Sequence, residues 1–256
     1  MKNKKVIFIL IAAAVGVAFI YHFNREQVYT AKYYNPKSQT TVTTDFVIRK
    51  GDTIANGKFI RQSKDGNKIV EGSFVNGQMC GQWTYFFENG NMEKSLYYKN
   101  NEIVLEESFW TPNGLVKEYD MYNLFGKRAF IIYFDRKGVK SYDGFPLMEI
   151  YQYRFSHKEL YHIKEDQYLK VGDTLKYEYL LANIPNTSRS FKIENLALDN
   201  NDVKRALVRK APTKLEVKEV LTKKGINTIR AIVQYKFKDK VTPVFNDTIS
   251  FEVKVN

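Results

Sequence analysis

Glycine recurs at Gly66, Gly90, Gly114 and Gly138, each 24 residues after the last, and no other feature restricts the fold of this chain as strongly. The contexts are Lys64-Asp65-Gly66, Glu88-Asn89-Gly90, Pro112-Asn113-Gly114 and Arg136-Lys137-Gly138. Asp-Gly and Asn-Gly between β-type runs signal tight hairpins, because glycine takes the positive φ such turns demand. A second turn signal falls half a repeat later, at Asn76-Gly77, Asn100-Asn101 and Phe125-Gly126. Each unit therefore reads as two strands and two turns. One hairpin cannot bury a face by itself, whereas stacked hairpins bury a common one.

Neighbouring columns keep the same register. Five positions before the glycines stand Arg61, Tyr85, Phe109 and Tyr133; eight after the first three stand Phe74, Tyr98 and Tyr122. In the run Gln82 to Phe87, Trp83, Tyr85 and Phe87 share one face and Thr84 and Phe86 the other. Equivalent strands at Phe59 to Ser63, Ser108 to Thr111 and Ala129 to Asp135 are expected to stack matching rings. Eighteen Tyr and 18 Phe suit such half-buried pleated surfaces.

The spacing Gly66-x5-Gly72-x-Phe74-x2-Gly77-x3-Gly81-x-Trp83-x-Tyr85, followed by Glu88-Asn89-Gly90, resembles the MORN-repeat variant family of bacterial proteins. The match covers about residues 57–144. The later units depart from it: Leu105 and Ala129 replace the glycine seen at Gly57 and Gly81, and Glu107 and Ile131 replace Trp83, as in degenerate units or edge caps. The resemblance implies an elongated hairpin sheet used for binding or scaffolding, with no catalytic residues to carry over. Some family members are labelled as antitoxins, a label that fits poorly with export.

Export is read from the start of the chain. Lys2, Lys4 and Lys5 precede an apolar run from Val6 to Tyr21, the charged and hydrophobic regions of a secretory signal. Its 16 residues stand near the lower limit for spanning a bilayer. Bulky Phe19, Ile20 and Tyr21 favour a retained anchor, and the Gly16-x-Ala18 pair allows cleavage instead; no Cys follows to make a lipoprotein. Either way the lysines stay cytoplasmic and the body emerges outside. The expected location is the inner membrane with a periplasmic body, the alternative a secreted or periplasmic protein. Residues 24–50 read as a polar spacer.

After Pro146 the 24-residue register lapses, and a second domain is expected over 147–256, with the repeat domain at 51–146. Alternating runs such as Leu175/Tyr177/Tyr179/Leu181, Ile229 to Phe237 and Ile249 to Val255 read as long half-buried strands. With shorter runs at Ile150 to Phe155, Gln167 to Val171, Ser190 to Leu196, Val203 to Val208 and Leu215 to Val220, they suit an antiparallel sandwich. Gly172-Asp173-Thr174-Leu175 and Asn246-Asp247-Thr248 resemble bacterial immunoglobulin-like envelope domains. The fold class expected overall is all-β: an N-terminal membrane-spanning or signal helix, a MORN-type sheet of hairpins and a C-terminal immunoglobulin-like sandwich.

Forty Lys and Arg against 28 Asp and Glu leave a formal charge of +12, which attracts anionic cell-wall polymer or lipopolysaccharide. Nucleic acid is set aside, because the basic domains would stand outside the cytoplasm and no recognised binding motif occurs. Cys80, the single cysteine, rules out an intramolecular disulfide and a Cys-rich metal site. His157 and His162, five apart, fall on opposite strand faces and read as packing residues rather than metal ligands. No phosphate loop, dinucleotide fingerprint or hydrolase motif occurs, and no catalytic, cofactor or metal residue is assigned.

Two surfaces remain as binding candidates. One is the aromatic column Trp83, Tyr85, Phe109 and Tyr133, with Phe86, Trp110 and Phe134 on the other parity, suited to a partner or a carbohydrate chain. The other is the basic stretch Lys204, Arg205, Arg209, Lys210, Lys214 and Lys218, suited to an anionic partner. Both point to a non-enzymatic envelope binding or scaffold protein, a subunit or accessory of a secretion, motility or surface-assembly complex. The alternative is a glycan or cell-wall binding module.

Overall fold

The computed structural model describes residues 26–152, 169–239 and 241–256. The N-terminal apolar segment, His157 and His162 lie outside these residues. Every element among the described residues is a strand, and every strand pairing is antiparallel.

Ten strands form one sheet in sequence order. They are β1 (Tyr29–Asn35), β2 (Thr40–Arg49), β3 (Asp52–Ser63), β4 (Lys68–Val75), β5 (Gln78–Phe86), β6 (Met92–Asn100), β7 (Ile103–Trp110), β8 (Val116–Tyr122), β9 (Arg128–Asp135) and β10 (Gly138–Gly144). The sheet begins well before the glycine repeat. Residues 24–50, expected to be a spacer, contain β1 and β2, which pair from Tyr29↔Phe46 to Asn35↔Thr40. Alternation in Thr40, Val42 and Thr44 gives the reason: Thr40 and Val42 are buried on the face that β3 continues. Thr and Val are good strand formers, and the polarity of the threonines disguises the run as a linker.

The turns fall into two kinds. At Ser63–Asn67, Phe87–Asn91, Thr111–Leu115 and Asn123–Lys127 the first residue accepts from the glycine N–H at 2.8–3.0 Å and donates to the carbonyl four residues on at 2.8–2.9 Å. This three-residue loop needs a left-handed residue in its last position, and Gly66, Gly90, Gly114 and Gly126 take it with φ between 74° and 83°. The alternate loops are tighter, as at Asn76-Gly77, where both φ are positive and Val75 pairs with Gln78. Gly138 therefore differs from the other three repeat glycines. It stands in a shorter turn after Arg136 and Lys137, with φ 128°, and Gly126 takes the three-residue position.

The remaining strands form two sheets. One has the order β11 (Leu147–Gln152), β12 (Thr174–Leu181), β15 (Lys214–Val220), β14 (Arg205–Arg209); the other is β13 (Thr187–Asn195), β16 (Gly225–Phe237), β17 (Phe245–Val255). Of the expected run Gln167 to Val171, the described part begins at Leu169, which makes a parallel bridge to Val255. Alternation on β16 holds throughout, with Ile229, Ala231, Val233, Tyr235 and Phe237 buried.

One core cluster runs through both units. It joins Tyr119, Met121, Phe130 and Ile132 of the ten-stranded sheet to Leu175, Tyr177, Leu180, Val217, Val233 and Tyr235 of the other two. Within the third and fourth units, β8 and β9 lie inside the sheet and carry the apolar side chains through which it meets the sandwich, while β10 forms the sheet's edge.

Candidate binding surfaces

Directly paired residues of an antiparallel sheet share a face, so the register decides which expected surface residues meet. Tyr85 lies opposite Lys94, Lys94 opposite Phe109, Phe109 opposite Glu118, and Glu118 opposite Tyr133. The aromatic column is thus a row in which rings alternate with charges. The Lys94 ammonium lies 5.8 Å from the Tyr85 ring centroid and 5.5 Å from that of Phe109, and pairs with Glu107 at 2.9 Å. A cation between two ring faces is held by their quadrupoles. Tyr85 and Phe109 are half-buried and Tyr133 is exposed.

Trp83 does not belong to that surface. It is 3% exposed and stands in the next row, opposite Leu96. Phe59, Phe74 and Tyr98 surround its ring at 5.4, 5.1 and 6.5 Å, its indole N–H donates to the Ser73 carbonyl at 3.2 Å, and Gly72 lies directly against it. Burial follows from Gly72: only a residue without a side chain leaves room for an indole on the neighbouring strand. On the other parity Phe86 lies beneath Lys68, and Phe134 packs on Phe237 of the sandwich at 6.3 Å.

The basic stretch is dispersed as well. Arg205 is half-buried, within a polar network spanning the two sandwich sheets. It pairs with fully buried Glu219 at 2.8 Å and donates to the Ile193 carbonyl at 2.7 Å. Glu219 also accepts from Tyr177 at 2.8 Å and Asn195 at 3.2 Å. Lys214 pairs with Glu178, and Lys210 and Lys218 both approach Glu216. Lys204 and Arg209 stand exposed, on the flank of edge strand β14. Buried charge needs a partner, and Glu219 on β15 and Glu178 on β12 supply it for Arg205 and Lys214. Cys80 is a half-buried free thiol. Among the described residues no group of three His, Cys, Asp or Glu could hold a metal ion, and no helix is long and apolar enough to cross a membrane.

No family model matches this sequence, and no curated protein matches it. Solved structures with some likeness include the accessory secretory proteins 1, 2 and 3 of Streptococcus pneumoniae, at 17% identity over 43% of this chain, with a TM-score of 0.26. This chain spans 18% of that one. Domains 4 and 5 of the S-layer protein SbsC give 10% identity, 85% and 98% of the two chains and a TM-score of 0.24. A conserved domain protein from Bacillus anthracis gives 9%, 91% and 92%, and 0.23. These TM-scores fall short of a shared fold.

Two features had no counterpart in the sequence pattern. At the junction of the units, Glu106 accepts from Tyr119 at 3.3 Å and from the Asn183 amide at 3.4 Å, while the Asn183 backbone N–H donates to the Tyr119 hydroxyl at 2.7 Å. Burial pushes the Glu106 carboxyl up to about 7, against the pull of Asn183, Tyr119 and Arg189. Nearby on β8, burial and a hydrogen bond with Glu118 raise buried Asp120 to about 7, with Arg128 opposing. The second feature is a cleft of about 680 Å³ between β10 and the β16–β17 connection. Its walls come from segments about a hundred residues apart, so no local spacing announces it.

Proposed function

We propose that this protein is a non-enzymatic binding or scaffold protein of the cell envelope, held in the inner membrane through residues 6–21 with a periplasmic body. It serves as a subunit or accessory of a secretion, motility or surface-assembly complex. The observation that carries the reading is the core shared by the two β units, which makes the ten-stranded sheet and the sandwich one platform for presenting surfaces. The hairpin meander is the expected form of a MORN-variant array. The strand orders β11-β12-β15-β14 and β13-β16-β17 match the four-and-three arrangement of a constant-type immunoglobulin sandwich. The lysines before the apolar segment and the net charge of +12 support the location and an anionic neighbourhood.

Partners dock most readily on the outer strand β1, where Tyr33 and Tyr34 are 53% and 55% exposed beside an unpaired strand edge. Mild detergent extraction of the tagged full chain is expected to bring down another envelope protein at fixed stoichiometry, and Tyr33→Glu with Tyr34→Glu to release it. A chain that always runs alone refutes the proposal.

A glycan-binding reading is favoured by the row Tyr85, Lys94, Phe109, Glu118 and Tyr133, which sets rings beside polar groups. Retention on peptidoglycan or lipopolysaccharide that falls with Tyr133→Ala and Tyr85→Ala supports it; no retention of the unaltered chain ends it.

A further inference from the structure

The cleft between β10 and the β16–β17 connection combines an apolar floor with a cationic rim. Ile132 and Phe237, both buried, form its base with Phe245. Tyr142 lies 4.8 Å from Phe245, centroid to centroid, and is 55% exposed. Val241 and Val244 are 74% and 47% exposed. Apolar surface of this kind, concentrated in a concavity and rimmed by polar groups, marks a binding site. Lys137 and Lys140 line the cleft, are exposed, and have no ion-pair partner among the described residues.

The walls are fixed in place. The Val139 backbone N–H donates to Thr242 Oγ1 at 3.1 Å. Asp239 ties the loop together, accepting from the backbone N–H groups of Val241 and Thr242 and from the Thr242 hydroxyl at 2.7–2.9 Å. The loop carboxylate is thereby engaged by the loop's own N–H and hydroxyl groups and makes no ion pair with Lys137 or Lys140. A side chain at Gly138 would stand 2.6 Å from Thr242 Oγ1 and 2.7 Å from Asp239 Oδ2, so the repeat glycine that departs from the common turn is the one that lets the loop close down.

An added β-strand is disfavoured as occupant. The edge of β10 is interrupted by a register shift between Val139 and Ser141, and one of its N–H groups is already given to Thr242; bulges and covered edges are devices that block strand addition. What remains is a greasy trough with two ammonium groups that make no ion pair among the described residues.

We propose that this cleft binds an anionic amphiphile, an alkyl chain headed by phosphate or carboxylate, with the chain along Tyr142, Val244 and Phe245 and the head group on Lys137 and Lys140. The site does not depend on the scaffold role, and its chemistry serves a free amphiphile or a membrane phospholipid alike.

The test uses the full chain in phosphatidylcholine nanodiscs and a diazirine-bearing decyl phosphate, with adducts mapped by mass spectrometry. Labelling is expected to concentrate on residues 139–142 and 241–245. Unlabelled decyl phosphate should compete, and decyl maltoside and inorganic phosphate should compete at least tenfold less well. Lys137→Glu with Lys140→Glu should lower cleft labelling about tenfold, while Lys99→Glu, on the far hairpin, leaves it unchanged. Val244→Ser, on the exposed loop, should also lower it and guards against a folding defect in the charge variant. Placing phosphatidylglycerol in the discs separates the sources: loss of labelling assigns the site to membrane phospholipid, persistence to a free amphiphile. Adducts scattered over the surface, equal competition by decyl maltoside, or labelling indifferent to the two Lys→Glu changes would overturn the proposal.

Discussion

Gly72 and Trp83 illustrate how one absent side chain organises the repeat. A Cβ on Gly72 would stand 2.2 Å from the Trp83 ring, so Gly72→Ala must push the indole out of its ring of Phe59, Phe74 and Tyr98. Forcing an extra carbon into a packed core costs roughly 1–3 kcal/mol. Urea titration should show a loss of that size, with Trp83 fluorescence shifted to the red. Two carboxyls supply a second prediction. Glu106 and Asp120 are both raised to about 7 from ordinary values of 4.5 and 3.8. The folded chain therefore holds these protons more tightly than the unfolded one, and the stabilisation this brings is full below about pH 4 and lost as pH rises through about 7. Stability from these groups should fall between those limits and level off above, and Glu106→Gln with Asp120→Asn should flatten that portion of a pH series of urea midpoints.

At the level of turns, glycines that look equivalent in the 24-residue register have different duties. Nothing stands within 4 Å of a Cβ placed on Gly66, Gly90 or Gly114, so their requirement is the left-handed backbone alone. Asn tolerates that conformation. Gly90→Asn should therefore cost under about 1 kcal/mol. Gly138→Asn meets both φ 128° and contacts with Thr242 and Asp239, and should cost at least twice as much by the same denaturation assay. Hairpins are legible from the glycines because turn chemistry is local. The same local signal does not distinguish Gly126, which takes the common turn, from Gly138, which receives a loop from a strand pair about a hundred residues later. The β1–β2 hairpin carries no such signal: its turn, at Pro36-Lys37-Ser38-Gln39, places Gln39 at φ 51° without a glycine to announce it.

Across the whole molecule, the shared core predicts cooperativity. Tyr119, Met121, Phe130 and Ile132 are buried in one cluster with the sandwich residues, so the two β units should unfold together rather than in sequence. Calorimetry is expected to give a single transition with calorimetric and van't Hoff enthalpies in agreement. Tyr119→Ala, which removes a buried ring and the acceptor of the Asn183 N–H, should lower the whole transition by an amount equivalent to about 3–5 kcal/mol. Two resolved transitions, or a shift confined to one unit, would refute a common core.

What the sequence alone determined is the local part of the design: glycine-centred turns, period-two strands, the class of fold, and the basic balance of charge. Turn geometry and strand alternation depend on residues a few positions apart, so they can be read from spacing. Tertiary structure alone decided which rings are exposed, since Trp83 and Tyr85 sit two residues apart on one face and only the neighbouring Gly72 buries the first. It also decided that Arg205 is paired with buried Glu219, that Glu106 is held at the junction by Tyr119 and Asn183, and that Lys137 and Lys140 line an apolar cleft with no ion-pair partner among the described residues. Burial and charge pairing depend on what arrives from distant parts of the chain, and a pattern with a short period carries no record of those arrivals.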